Sequence, residues 1–147
     1  MTRQRLLVAV AVSALVAATA WYFYDPPWIA AVTSGLRHWE EDPPGTRFRW
    51  TAGRASFFIP SGATEMTLPM RALFPSPDGK PVTVKLSVDD RWLVDVELTE
   101  PARWEQPTVP LPRRATHRSY RRIELRVSRT VGFLNLGVQL GEVRLRE

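Results

Sequence analysis

The chain has no cysteine, and only two lysines and two histidines in 147 residues. Without cysteine there is no disulfide framework and no thiolate metal site, and two histidines leave too few ligands for a structural zinc. No GxGxxG, P-loop or GxSxG pattern and no metal-ligand spacing occurs, so no cofactor and no metal is expected. Positive charge comes almost wholly from arginine, and none lies between Arg5 and Arg37. What is present is a hydrophobic fraction of 44%, an aromatic fraction of 10% and 13 prolines. That is too apolar for a disordered chain, and the prolines punctuate it into short elements.

Leu6 to Tyr24 is uncharged throughout, preceded by Arg3 and Arg5 and followed by Asp25. As a helix rising 1.5 Å per residue it spans about 28 Å, close to the thickness of a bilayer's hydrocarbon core. The two arginines before it predict a cytoplasmic N-terminus and an exported body, with Trp21, Tyr22 and Tyr24 in the outer headgroup layer. Ala18-Thr19-Ala20 also fits a signal-peptide cleavage site, so a cleaved leader stands beside the retained anchor; the aromatic cluster favours the anchor. Either reading exports the rest of the chain.

Asp25-Pro26-Pro27 predicts the start of a second, short juxtamembrane helix, with Asp25 as N-cap and Pro26 at its first position. Trp28, Val32, Leu36 and Trp39 then fall on one apolar stripe, interrupted by Gly35, that would lie on the membrane or against the domain. Glu40 to Gly45 is a charged, proline-stopped linker. The expected organisation is an anchor over 1–25, helix and linker over 26–44, and a folded domain over 45–147.

Past Gly45 the apolar period changes to two. Val82, Val84, Leu86 and Val88 predict one strand and Trp92, Val94, Val96 and Leu98 the next, joined by a short Asp89-Asp90-Arg91 turn into a hairpin. Ile123, Leu125 and Val127 mark a further strand. Shorter ones are read at Phe48 to Thr51, Ala55 to Ile59, Met66 to Phe74, Thr108 to Leu111 and Leu136 to Leu145. In the last the apolar phase slips near Gly141, predicting a bulge or tight bend, and Pro69 is placed at an edge or bulge. The fold class expected is all-β, an antiparallel β-sandwich or jelly roll behind one transmembrane helix.

Together RFRWTAGRASFFIP, the hairpin VTVKLSVDDRWLVDVEL, VPLP, RRIELRVSRT and LGVQLGEVRLR resemble the galactose-binding-like jelly rolls that include many carbohydrate-binding modules. LPMRALFP followed by the hairpin and RVSRT is similar to a small β-sandwich of bacterial membrane proteins, some associated with membrane glycosyltransferase modules. The resemblance covers Gly45 to Glu147. It implies a non-catalytic sugar-, headgroup- or protein-binding domain on the periplasmic or extracellular side of a bacterial cytoplasmic membrane.

For the site, Trp50 and Trp92 share the apolar phase of their strands and are expected in the core, which leaves Trp104, in an irregular stretch, and Tyr120 as candidate binding aromatics. Residues 113 to 147 hold nine arginines against three glutamates. Arg113, Arg114, Arg118, Arg121, Arg122, Arg126 and Arg129 fall within a short span, and the guanidinium fork suits phosphate or carboxylate. An acidic glycan, an anionic headgroup or an acidic protein patch would fit; a solvated strand face would read the same. Export argues against nucleic acid as partner. Asp89 with Asp90, Asp95 with Glu97, and His117 with Ser119 lack any catalytic motif, so an enzyme is not expected. Two functions follow: a membrane-anchored binding module for an envelope glycan or acidic headgroup, or an assembly subunit docked to a membrane protein complex such as an envelope glycosyltransferase.

Overall fold

The computed structural model describes residues 3–113 and 117–147. Helix α1 runs Arg3–Tyr24, and every residue in it is exposed. It is long and apolar enough to cross a membrane. Thr19 donates its hydroxyl hydrogen to the carbonyl of Leu15 at 2.8 Å, which removes a polar group from the apolar surface. Pro26 and Pro27 cannot donate to the helical ladder, and α1 stops before them.

Asp25 does not cap a second helix. Its carboxylate accepts from the Ser119 backbone N–H (2.9 Å) and hydroxyl (2.6 Å), fastening the end of α1 to the body. Pro27–Ala31 forms only a single 3₁₀ turn. The chain then extends into β1 (Ser34–Leu36) and β2 (Glu40–Glu41). Both pair with β3 (Arg47–Pro60), so the sheet begins at Ser34, ahead of the expected boundary at Gly45.

Gly35 explains why the stripe from Trp28 to Trp39 is not helical. It sits at φ +65°, and a Cβ there would lie 2.0 Å from the Arg54 carbonyl oxygen. Glycine therefore admits a left-handed backbone hard against β3, and the hydrogen bonds of a free sheet edge replace those of a marginal short helix.

The remaining strands are β4 (Glu65–Thr67), β5 (Met70–Arg71), β6 (Val82–Val88), β7 (Arg91–Leu98), β8 (Thr108–Pro110), β9 (Tyr120–Val127), β10 (Gln139–Gly141) and β11 (Arg144–Arg146). All pairing is antiparallel. The larger sheet runs β5-β10-β3-β9-β6-β7 with β1 and β2 also on β3, and a smaller one runs β11-β4-β8. Phe48 to Thr51 and Ala55 to Ile59 belong to one 14-residue strand. Its first half pairs with β10 and its second with β9, so β3 carries the curl of the sheet. Met66 to Phe74 is divided instead, Pro69 separating β4 of the small sheet from β5 of the large one.

The break foreseen at Gly141 is a change of sheet. β10 ends there against β3, and β11 pairs with β4. Between the sheets lies one core, including Phe57, Ile59, Met66, Leu68, Met70, Val84, Leu86, Ile123, Leu125, Val138 and Leu140.

Candidate functional site

The β6–β7 hairpin turns through two residues, with Asp89 at φ 49° and Asp90 at φ 66°. Such a turn sets Val88 opposite Arg91 and Ser87 opposite Trp92. Farther from the turn, burying both apolar rows requires Leu86 opposite Val94, Val84 opposite Val96 and Val82 opposite Leu98, a register one residue out of step. The conflict is absorbed by a bulge at Leu93. Its effect is to turn Trp92 out of the core phase onto the outer face, where it is 64% exposed. Trp50 is buried as expected; Trp92 is not.

The ring is held rather than loose. Its indole N–H donates to Asp95 Oδ1 at 2.8 Å. The register continues this face across the sheet: Trp92, Ser87, Glu124 and Ser56 form one row, and Asp95, Lys85, Arg126 and Arg54 the next. Glu124, 7% exposed at its side chain, accepts from Arg54 Nη2 and Arg126 Nε, each at 2.7 Å, with Arg122 Nη2 3.5 Å away. The hydrogen bond from Arg54, then that from Arg126, holds the Glu124 carboxyl below its ordinary value of 4.5 against the opposing pull of burial. Arg122 also pairs with Asp90. The face is thus an aromatic platform beside two serines and a ladder of charges that largely cancel.

The other expected site residues separate. Arg121 leaves the surface: its side chain is 4% exposed, donating through Nε to Asp89 Oδ2 at 3.0 Å and through Nη1 to the Pro112 carbonyl at 2.6 Å. It occupies the inward phase of β9, so burial required these partners. Arg122 and Arg126 lie on the outer face. Arg113 and Arg118 are exposed at the end of the sandwich where α1 arrives, and Arg114 lies outside the described residues. Arg129 is taken up by the carbonyls of Phe74 and Pro75. Tyr120 is half-buried at the entry to β9, opposite Pro60.

Trp104 is also not a free platform. It is half-buried, 6.3 Å from the Phe48 ring and covered by the Arg71 guanidinium at 4.6 Å. Arg71 itself donates to Gln139 at 2.7 Å and pairs with Asp42 at 3.4 Å. One edge of Trp104 borders a groove of about 470 Å³ beside Arg47, Gln106 and Glu142. The two tryptophans therefore exchange the places expected of them. The turn length set against the valine register was the one signal in the sequence that could have found Trp92. No group of residues able to hold a metal ion occurs among the described residues.

No protein-family model matches the chain, and no curated protein sequence matches it. Solved structures do. A carbohydrate-binding module, TmCBM61, solved with β-1,4-galactotriose, superposes with a TM-score of 0.51 at 16% identity over 79% of this chain and 87% of that one. A family 6 carbohydrate-binding module superposes at 0.48 with 11% identity over 79% and 86%. CsCBM6-3 from Clostridium stercorarium, solved with cellobiose, does so at 0.47 with 10% identity over the same shares. The likeness to TmCBM61 is one of fold, an antiparallel jelly-roll β-sandwich.

Proposed function

We propose that this chain, a carbohydrate-binding-module jelly roll behind an apolar helix, is a membrane-tethered, non-catalytic module that holds an envelope glycan. The observation that carries the reading is Trp92, an exposed ring pinned by Asp95 at the edge of a polar, nearly neutral strand face. A fixed aromatic face suits the apolar side of a sugar ring, and serines with paired arginine and carboxylate groups suit its hydroxyls. Of the carboxylates on this face, Asp90, Asp95 and Glu124 are committed to arginine or indole donors, which leaves Glu97 alone where glycoside hydrolysis requires a facing pair. TmCBM61, a module of similar fold solved in complex with β-1,4-galactotriose, supports the same class of ligand. The helix would serve as anchor, with the sandwich on the exported side.

The test is a titration of the full-length protein in detergent against neutral and acidic oligosaccharides at low and high salt. Trp92 leaves about 160 Å² of ring uncovered, and a sugar covering half of it gains about 2 kcal/mol, so Trp92→Ala should weaken binding about 30-fold. If no glycan binds, or the variant binds as tightly as the parent, this reading fails. A second reading, an assembly subunit for a membrane protein complex, draws on the loop between β9 and β10, where Phe133 is 92% and Leu134 45% exposed.

A further inference from the structure

The anchor is fastened to one end of the sandwich, and that end gathers cations without carboxylate partners. Asp25 binds Ser119 through both backbone and hydroxyl, and the Arg118 guanidinium lies 4.8 Å over the ring of Tyr24. Two residues on from Ser119, about 7 Å along β9, Arg121 holds Asp89 of the hairpin turn. Around that pair is a recess of about 250 Å³ lined by Arg91, Trp92, Pro112 and Arg113. Among the described residues no carboxylate lies within ion-pair distance of Arg91, Arg113 or Arg118, whereas Arg122 at the same end pairs with Asp90 of the hairpin turn, and Arg54 and Arg126 farther along the outer face pair with Glu124. The same end presents Trp21, Tyr22, Tyr24 and Trp28, all exposed. The opposite end lies about 30 Å away along β3, where Arg37 holds both Trp50 and the Phe133–Leu134 loop.

We propose that this end is a foot that rests on the bilayer the helix crosses, with Arg91, Arg113 and Arg118 on the phosphates of anionic lipid headgroups. The inference rests on the reading of α1 as a membrane anchor. Covalent continuity supplies the occupant, because the surface beside the exit of a spanning helix meets headgroups whatever else it meets. Charge complementarity supplies the contact: a guanidinium takes phosphate through two parallel hydrogen bonds, and Tyr24 with Trp21 sits at the depth aromatics favour. The foot would hold the sandwich end-on, leaving the Trp92 face beside the membrane and the Phe133 loop farthest from it.

With no native cysteine, one introduced thiol labels a single place. Gly62→Cys marks the near end, since Ser61 donates to the Ser119 carbonyl and a Cβ at 62 meets open space; Phe133→Cys marks the far end. Full-length protein bearing either fluorophore is placed in vesicles of phosphatidylcholine, with or without phosphatidylglycerol, containing acceptor-labelled headgroups. Energy transfer should be stronger from position 62 than from 133, and phosphatidylglycerol should raise the docked fraction in a salt-sensitive way. Each arginine should contribute about fivefold to the ratio of docked to undocked orientations, so R91E/R113E/R118E should abolish the lipid dependence. Transfer from 62 that ignores lipid charge and the triple reversal, in protein that alkaline carbonate cannot extract, overturns the foot and leaves the anchor standing. Extraction by carbonate overturns the anchor and the foot with it. Displacement by acidic polysaccharide at a lipid-insensitive site would make the cluster a glycan site and likewise overturn the proposal.

Discussion

Trp50 and Trp92 occupy the same apolar phase in their segments, yet the structure buries one and exposes the other, and truncation separates them. Trp50 is 8% exposed, 6.5 Å from Phe48 in an edge-to-face contact. Its replacement by alanine removes nearly all of a large ring's burial and should cost about 3–5 kcal/mol. Trp92, 64% exposed, has about 90 Å² covered, an upper bound of about 2 kcal/mol at 25 cal/mol/Å² that partial burial in the unfolded chain reduces. Its hydrogen bond to Asp95 is exposed and adds about 0.5 kcal/mol. At about 4 °C per kcal/mol, Trp92→Ala should lower the unfolding midpoint by about 7–9 °C and Trp50→Ala by about 12–20 °C. Far-UV circular dichroism of the full-length protein in detergent follows both transitions through the β signal. Equal losses for the two variants would refute the bulge at Leu93 and put Trp92 back in the core, and with it the platform proposed for sugar.

Two further tests address what holds the platform and the added strands. The folded-state value of Glu124 is depressed, so its contribution to stability is complete above the ordinary value of 4.5 and is lost as pH falls through the lower folded value. Wild-type protein should therefore lose stability in that acid range; Glu124→Gln should lose about 1–2 kcal/mol at neutral pH and show a flatter acid limb in urea titrations, a loss that solvent screening keeps small because Arg54 and Arg126 are more than half exposed. An unchanged acid limb would show that the carboxylate is not held by arginine. Gly35→Ala forces a Cβ against the Arg54 carbonyl at positive φ, so β1 should detach while the core persists. Hydrogen exchange would report faster exchange confined to β1 and the facing part of β3; protection equal to wild type would refute the packing.

Much of the sandwich was legible because period-two alternation is local. The β6 and β9 rows, with Val84, Leu86, Ile123 and Leu125 fully buried, need only the physics of a half-buried strand. The phase slip at Gly141 was also visible, though as a bend rather than a transfer between sheets. The stretch after Asp25 was not legible. Its stripe at helical spacing competed with a sheet edge that exists only once β3 has folded, and the edge satisfies more backbone groups than a single turn can.

Arginine placement failed by the same logic. Composition showed a basic C-terminal third, but a strand alternates sides, so Arg121 turned inward to Asp89 while Arg122 and Arg126 turned outward to Glu124. By itself the sequence determined an apolar helix followed by an all-β domain without cysteine, because period, length and composition are properties of neighbouring residues. Only the tertiary structure decided that Trp92 is exposed, that Trp104 is covered by Arg71, and which arginines are paired. Those outcomes depend on one residue of register in a hairpin and on partners from distant strands, and neither is encoded in any single window of the chain.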